Sequence, residues 1–298
     1  MIRIPSFLKK GDTVLIIGTA RARNRESLQF SIDTLQGWGF KVECGEHLYK
    51  VHHQFAGTDR ERASDLQWAV KHPVAKAVII AGGGYGTLRI IDAVNFSPLK
   101  KYPKWFCGYS DTTVLHARLI KEGLACIHST MAFQFSKNKE ATQSLLTGLL
   151  GKSLSYHIPV NNLNREGNVT AEVVGGNLSI LYALSGSADD VNTNNKILFI
   201  EDLDEQLYHI DRMMLQLKRS GKLKKLKGLV VGGMSDMKDN AIPFGKSAEE
   251  IIHDAVKDYD FPVCFGFPAG HIEVNKALFF GRKATLKVSK KRITFRYL

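Results

Sequence analysis

Short apolar runs alternate with longer amphipathic stretches through the first half of the chain. VLIIG (14–18) is a compact apolar run of the kind that forms a buried strand. SLQFSIDTLQGWG (27–39) repeats its apolar positions at helical spacing and ends in glycine, as a helix C-cap does. FKVECG reads as a second strand, and RERASDLQWAVKHP (60–73) as a helix stopped by Pro73. KAVIIAGGG (76–84) reads as a buried strand running into glycines, TLRIIDAV (87–94) as a short helix, and KWFCGYS as a further strand. Strands alternating with helices predict a mainly parallel, doubly wound α/β sheet. Such sheets bind ligands beyond the carboxyl ends of their strands. The turns AGGGYG and CGYSD both follow strands, so both fall on that edge.

The pattern changes at residues 136–169, which are polar and end in turn-forming clusters. This predicts an N-terminal domain over 1–150, a linker over 151–169 and a C-terminal domain over 170–298. In the last part, VVGGNLSILYALSG (173–186) reads as helical, KILFIED (196–202) as a strand and YHIDRMMLQLKRSG (208–221) as an amphipathic helix. KGLVVGG, PVCFGF, KATLKV and RITFRYL read as strands. More strand and less regular alternation predict a smaller α+β or barrel-like domain. No internal repeat is visible.

Composition narrows the function classes. With 298 residues, 44% hydrophobic and 23% charged, the chain is ordinary for a globular protein. No apolar run approaches the ~20 residues a spanning helix needs. The N-terminal stretch lacks a signal-peptide pattern, so a cytoplasmic protein with no membrane partner is expected. Cys44, Cys107, Cys126 and Cys264 are far apart without a CxxC pair, which predicts reduced, mostly buried thiols. There is no HExxH and no clustered ligand set, so neither a metal nor a cofactor is expected. The net charge of +12 admits nucleic acid or an anionic substrate. The densest basic stretch, KRSGKLKKLKG (218–228), has no interleaved aromatics and reads as a solvated helix end, so nucleic acid is not expected.

The candidate chemistry lies in three places. AGGGYGTLR departs from GxGxxG and lacks the P-loop Lys-Ser/Thr pair, but its glycines let a ligand or oxyanion approach backbone N–H groups. Gly-Tyr-Ser at 108–110 fits the Gly-x-Ser part of a nucleophile elbow, although Thr112 replaces the usual second glycine. Ser110 is either the nucleophile or a helix cap. If Asp111 caps instead, Ser110 is left on the corner, and the Asp111 N–H becomes a natural oxyanion donor. A serine nucleophile needs a base, and the base needs an orienting acid. Glu201 and Asp202 end the strand KILFI, within the acidic run EDLDE, whose acids also read as solvated loop positions. His271 follows a Gly-Pro-rich loop, where a general base or a plain surface histidine would sit.

Together, GTDRERASDLQWAV, GGYGTLRIID, WFCGYSDTTVLH, VVGGNLSILYALSG, LFIEDLDEQLYHIDRMM and GHIEVNKAL resemble the LD-carboxypeptidase family, the muramoyltetrapeptide carboxypeptidases. The resemblance spans most of the chain, and the GYSD elbow and the ED…E…Y-x-IDRM segment are its specific parts. It implies a flavodoxin-like N-terminal domain and a barrel-like C-terminal domain, with the site made by both. It also implies a Ser-Glu-His triad of Ser110, Glu201 and His271, with Glu205 the nearest competitor for the acid. Backbone N–H groups of Asp111, Gly83 and Gly84 would form the oxyanion hole. The implied substrate is a murein tetrapeptide in cell-wall recycling, and dimers are frequent in the family. Two alternatives stay open: a self-immunity peptidase that cleaves a peptidyl-nucleotide antibiotic, and a non-catalytic α/β ligand-binding protein. Three loops depart from the family pattern. Gly82 stands where an arginine is usual before GGYG, the first strand runs into GTARAR, and IHSTMAF lacks a Gly-Pro.

Overall fold

Strands covered on both faces must be apolar at every position, and the first sheet is built from such runs. In the computed structural model, which describes residues 2–298, these are β1 (Thr13–Ile17), β3 (Ala77–Ile80), β4 (Trp105–Gly108) and β5 (Cys126–His128), each buried throughout. β2 (Lys41–Cys44) lies at one edge, with alternating exposed and half-buried positions. The parallel order β2-β1-β3-β4-β5 is that of a flavodoxin-like sheet. The helices between the strands are α1 (Arg25–Gly37), α2 (Asp59–Lys71), α3 (Thr87–Ile90), α4 (Thr113–Lys121) and α5 (Lys139–Leu149). Asn24 caps α1 through the Ser27 N–H at 3.0 Å, and α2 opens on a capping box of Thr58 and Glu61. The helix expected over 87–94 is only the four residues of α3, followed by a 3-10 turn over Ile91–Ala93.

The second sheet has seven strands of mixed direction. Its strands are β6 (Ser155–Ile158), β7 (Gly167–Asn177), β8 (Lys196–Leu203), β9 (Gly228–Ser235), β10 (Val263–Cys264), β12 (Lys283–Val288) and β13 (Ile293–Tyr297). The order is β10-β9-β8-β7-β12-β13-β6, parallel from β10 to β7 and antiparallel from β7 to β6. Backbone hydrogen bonds between Arg165 and Val263 tie the connection between β6 and β7 to β10. The associated helices are α6 (Leu178–Leu184), α7 (Leu207–Arg219) and α8 (Ala248–Val256).

The chain forms two units, and their limits correct the sequence-based boundaries. One unit holds the chain through Lys152 plus Lys276–Gly281; the other holds Ser153–Asn275 and Arg282–Leu298. The predicted linker over 151–169 is instead structural: β6 pairs with β13, burying Tyr156 and Ile158. Its period-two signal is hard to read because only two apolar residues carry it. The predicted C-terminal domain also gives up a segment. Strand β11 (Leu278–Phe280) pairs antiparallel with β5 and completes the first sheet. A third correction concerns 173–186, where Val173–Asn177 belong to β7, in parallel register with Ile197–Glu201. The helix begins only after Asn177, whose side chain accepts the Ile180 N–H at 3.1 Å.

Candidate active site

In the first unit, chemistry gathers at the carboxyl ends of β3 and β4. β4 runs into Tyr109, and Ser110 follows with φ +62°. A non-glycine residue in the left-handed region costs about 1–2 kcal/mol and persists only where its surroundings impose it. Ser110 opens a 3-10 turn, Ser110–Thr112, that leads directly into α4. Tyr109 caps that turn and Thr112 caps α4, neither through its side chain, so Ser110 is not the helix cap. This is the geometry of a nucleophile elbow.

The Asp111 side chain does not cap its own helix either. It is 2% exposed, and its Oδ2 accepts the Thr87 N–H at 2.9 Å, which locks the start of α3 to the corner. Burial pushes its carboxyl up from the usual value, against the opposing pull of the Thr87 hydrogen bonds. The glycine loop is thereby fixed beside Ser110. A Cβ added to Gly83 would lie 3.3 Å from Ser110 Cβ and 3.4 Å from its Oγ. Only a residue without a side chain leaves that backbone open to a reacting group. Gly84, at φ +107°, continues the loop against Arg21. The first unit therefore brings Ser110, Asp111, Gly83 and Gly84 together.

In the second unit, β8 carries Glu201 at its buried end, with no exposure at all. Glu201 Oε2 accepts two hydrogen bonds from His271, one from Nδ1 at 2.7 Å and one from the backbone N–H at 3.1 Å. An ionised carboxylate can only accept, so the imidazole proton sits on Nδ1 and Nε2 is the basic nitrogen. Burial lowers the His271 pKa, but the Glu201 hydrogen bond and the charges of Glu201 and Asp202 outweigh it, and the net shift is upward. The loop bearing His271 is held at several points. Ser235 Oγ donates to the His271 carbonyl at 2.6 Å, and Asn275 Oδ1 accepts the Gly270 N–H at 2.9 Å. Gly270 has φ +107°, and a Cβ there would stand 2.7 Å from Glu201 Cβ and Oε2. Glu205 is occupied elsewhere: its carboxylate takes His209 Nδ1 at 2.6 Å, four residues along α7.

Two models of one family match the chain. The LD-carboxypeptidase N-terminal domain matches residues 14–129, and the LD-carboxypeptidase C-terminal domain matches residues 170–286. This chain belongs to the LD-carboxypeptidase family. Ser110 lies within the first matched region, Glu201 and His271 within the second. The "Probable murein peptide carboxypeptidase" of Bacillus subtilis (strain 168) is 34% identical over 96% of this chain and 92% of its own length. The "Murein tetrapeptide carboxypeptidase" of Pseudomonas aeruginosa is 26% identical over 94% of each. Among solved structures, a muramoyltetrapeptide carboxypeptidase from Oxalobacter formigenes superposes with a TM-score of 0.87 at 29% identity, covering 96% of this chain and 98% of that one. As a member of this family of serine carboxypeptidases, the protein is a hydrolase.

The family resemblance named Glu201 and His271 but not the residues that brace them. Asp202, 1% exposed, accepts hydrogen bonds from Asn177 Nδ2 and the Ser179 N–H, each at 2.8 Å, and so joins β8 to the start of α6. Burial, reinforced by the Glu201 charge, raises its pKa to about 6 despite those bonds. The only sequence signal for this role was its adjacency to Glu201. Asn275, which steadies the His271 loop, stood within the family-like stretch GHIEVNKAL without a role attached to it.

Proposed function

We propose that this protein is a serine LD-carboxypeptidase that removes the terminal D-alanine from murein tetrapeptides in cytoplasmic cell-wall recycling. The observation that carries the reading is Ser110 held at a positive φ on the strand-to-helix corner, with the Gly83 backbone against its Oγ. The names of the Bacillus and Pseudomonas relatives support the substrate class. Microcin C7 immunity proteins superpose equally well, at a TM-score of 0.86, but at 22% identity they speak to the fold alone.

The proposed reaction uses Ser110, Glu201 and His271. His271 Nε2 takes the Oγ proton as Ser110 attacks the carbonyl joining an L-configured centre to the terminal D-alanine. N–H groups of Asp111, Gly83 and Gly84 donate to the oxyanion, the kind of preorganised stabilisation worth about 3–4 kcal/mol per donor. Collapse breaks the C–N bond, and the imidazolium gives its proton to the leaving amine. Glu201 keeps the ring in the Nδ1–H tautomer and stabilises the imidazolium. A water, deprotonated by His271, then cleaves the ester, releasing a tripeptide and returning a proton to Ser110.

The test is mass spectrometry of a murein tetrapeptide incubated with wild-type protein and with Ser110→Ala. Loss of one D-alanine with wild type alone is expected. Cleavage by both removes Ser110 from the mechanism. Cleavage by neither, with a peptidyl-adenylate cleaved instead, replaces the recycling reading with the immunity one.

A further inference from the structure

The loop after β1 brings two arginines, Arg21 and Arg23, to the glycine wall beside Ser110. The Arg21 side chain packs on Gly84, and its backbone N–H donates to the Gly83 carbonyl at 3.2 Å. Arg23 lies flat against Gly82. A Cβ at position 82 would overlap Arg23 Nε and stand 3.0 Å from both Cζ and Nη2. Gly82 is therefore the residue that makes room for this guanidinium. The other side of the guanidinium is a ring: Cζ sits 3.7 Å from the centroid of Phe133.

This arrangement is costly unless something answers the charge. No carboxylate pairs with Arg21 or Arg23 among the described residues, and Arg23 Nε is buried without a hydrogen-bond partner. Burial, and then the neighbouring Arg21, lower the Arg23 pKa. A half-desolvated cation, Arg23, beside an exposed one, Arg21, with no anion between them makes a place for one. The location says which. Gly82 touches Arg23 and Gly83 touches Ser110 Oγ. Adjacent Cα atoms are about 3.8 Å apart, so bond lengths alone keep the guanidinium within about 13 Å of the Oγ. That bound leaves a carboxylate one residue beyond the bond that Ser110 attacks within reach of the guanidinium.

We infer that Arg23 is the anchor for the C-terminal carboxylate of the peptide, with Arg21 adding to the positive field. The inference rests on the serine carboxypeptidase reading and accounts for its exopeptidase character, because only a peptide ending one residue past the scissile bond presents its carboxylate there. The planar fork of arginine suits a bidentate carboxylate, and stacking on Phe133 holds the fork in one plane. In the resembling family an arginine is usual at position 82; here the cation comes from the first-strand loop instead.

The test compares a murein tetrapeptide with its C-terminal carboxamide, for wild type, Arg23→Gln and Arg23→Lys. Thermal midpoints confirm that each variant is folded. Wild type is expected to prefer the free acid by about 10²-fold in kcat/KM, the scale of a charge-assisted pair, with most of it in KM. Arg23→Gln loses that preference, cleaving both peptides at the wild-type rate for the amide, and Arg23→Lys falls between. An equal loss on both peptides, or an undiminished preference for the acid, overturns the anchor while leaving the peptidase reading intact. Failure of wild type on the free acid overturns the peptidase reading and the anchor with it. A readout without turnover is calorimetric binding of both peptides to Ser110→Ala, where adding Arg23→Gln should abolish the difference in affinity.

Discussion

The two units prepare the groups proposed to react by opposite means. In the first, the backbone does the placing: Ser110 is held at φ +62°, and its neighbour across the turn, Gly83, has no side chain to obstruct the approach. In the second, side-chain burial does it: Glu201 is fully enclosed, and both hydrogen bonds to its Oε2 come from His271. Strain holds an atom in place without giving it charge, which suits a nucleophile that must stay neutral until attack. Enclosure fixes a charge and transmits it to one partner, which suits an orienting acid. A buried carboxylate with no donor would cost several kcal/mol, so the two His271 hydrogen bonds offset much of the cost of enclosing Glu201.

Five substitutions sharpen the contrast. The largest effect belongs to Ser110→Ala, which should lower kcat by about 10⁴–10⁶-fold with the thermal midpoint unchanged or slightly raised, since it removes only the Oγ. Steady-state release of D-alanine, with a melting curve alongside, measures both. Glu201→Gln comes next, at about 10³–10⁴-fold in kcat. It carries a pH signature. His271 must be neutral to act, and its pKa is raised above the ordinary histidine value, so kcat/KM falls as pH drops through that raised value. Without the Glu201 charge burial dominates, and the acid limb moves to lower pH; an unmoved limb would detach Glu201 from His271.

Gly83→Ala and Gly270→Ala test placement itself. Each adds one methyl, against Ser110 at 3.3 Å in one case and against Glu201 at 2.7 Å in the other. Gly83→Ala should cost about 10–10²-fold in kcat and leave the pH profile in place. Gly270→Ala, which also meets an unfavourable φ, should lower kcat and shift the acid limb together. The smallest effect is expected for Glu205→Ala. Its partly exposed pair with His209 is worth less than about 1 kcal/mol, so kcat should stay within about twofold of wild type. A fall comparable to that of Glu201→Gln would move the orienting acid four residues along the chain.

The same contrast explains what could be read from the sequence. Backbone devices leave a trace in composition: the glycines at 82–84 and the Gly-x-Ser at 108–110 stood out because few residues tolerate such positions. The alternation that specified the first sheet was legible because parallel strands are apolar throughout. Enclosure left less. Asp202 and Asn275 are polar residues whose roles exist only once strands and loops are brought side by side. Burial also outvoted periodicity. Val173–Asn177 carry an apolar run that suits either helix or strand, and pairing with β8 made it strand. Arg23 was read only as part of a departure from a familiar loop; that its guanidinium occupies the space a side chain at position 82 would need is visible only in the fold.

Strand β11 has a consequence for synthesis on the ribosome. The first sheet has its five parallel strands by residue 128, yet the strand that covers the outer edge of β5 lies at Leu278–Phe280. At about 5–20 residues per second, the roughly 150 residues between them leave that edge open for about 8–30 s while the rest emerges. An open edge is a template for pairing with another chain. A fragment ending before residue 276 keeps this vulnerability permanently, so stop codons upstream of that position should yield aggregation rather than an isolated, soluble serine-bearing half.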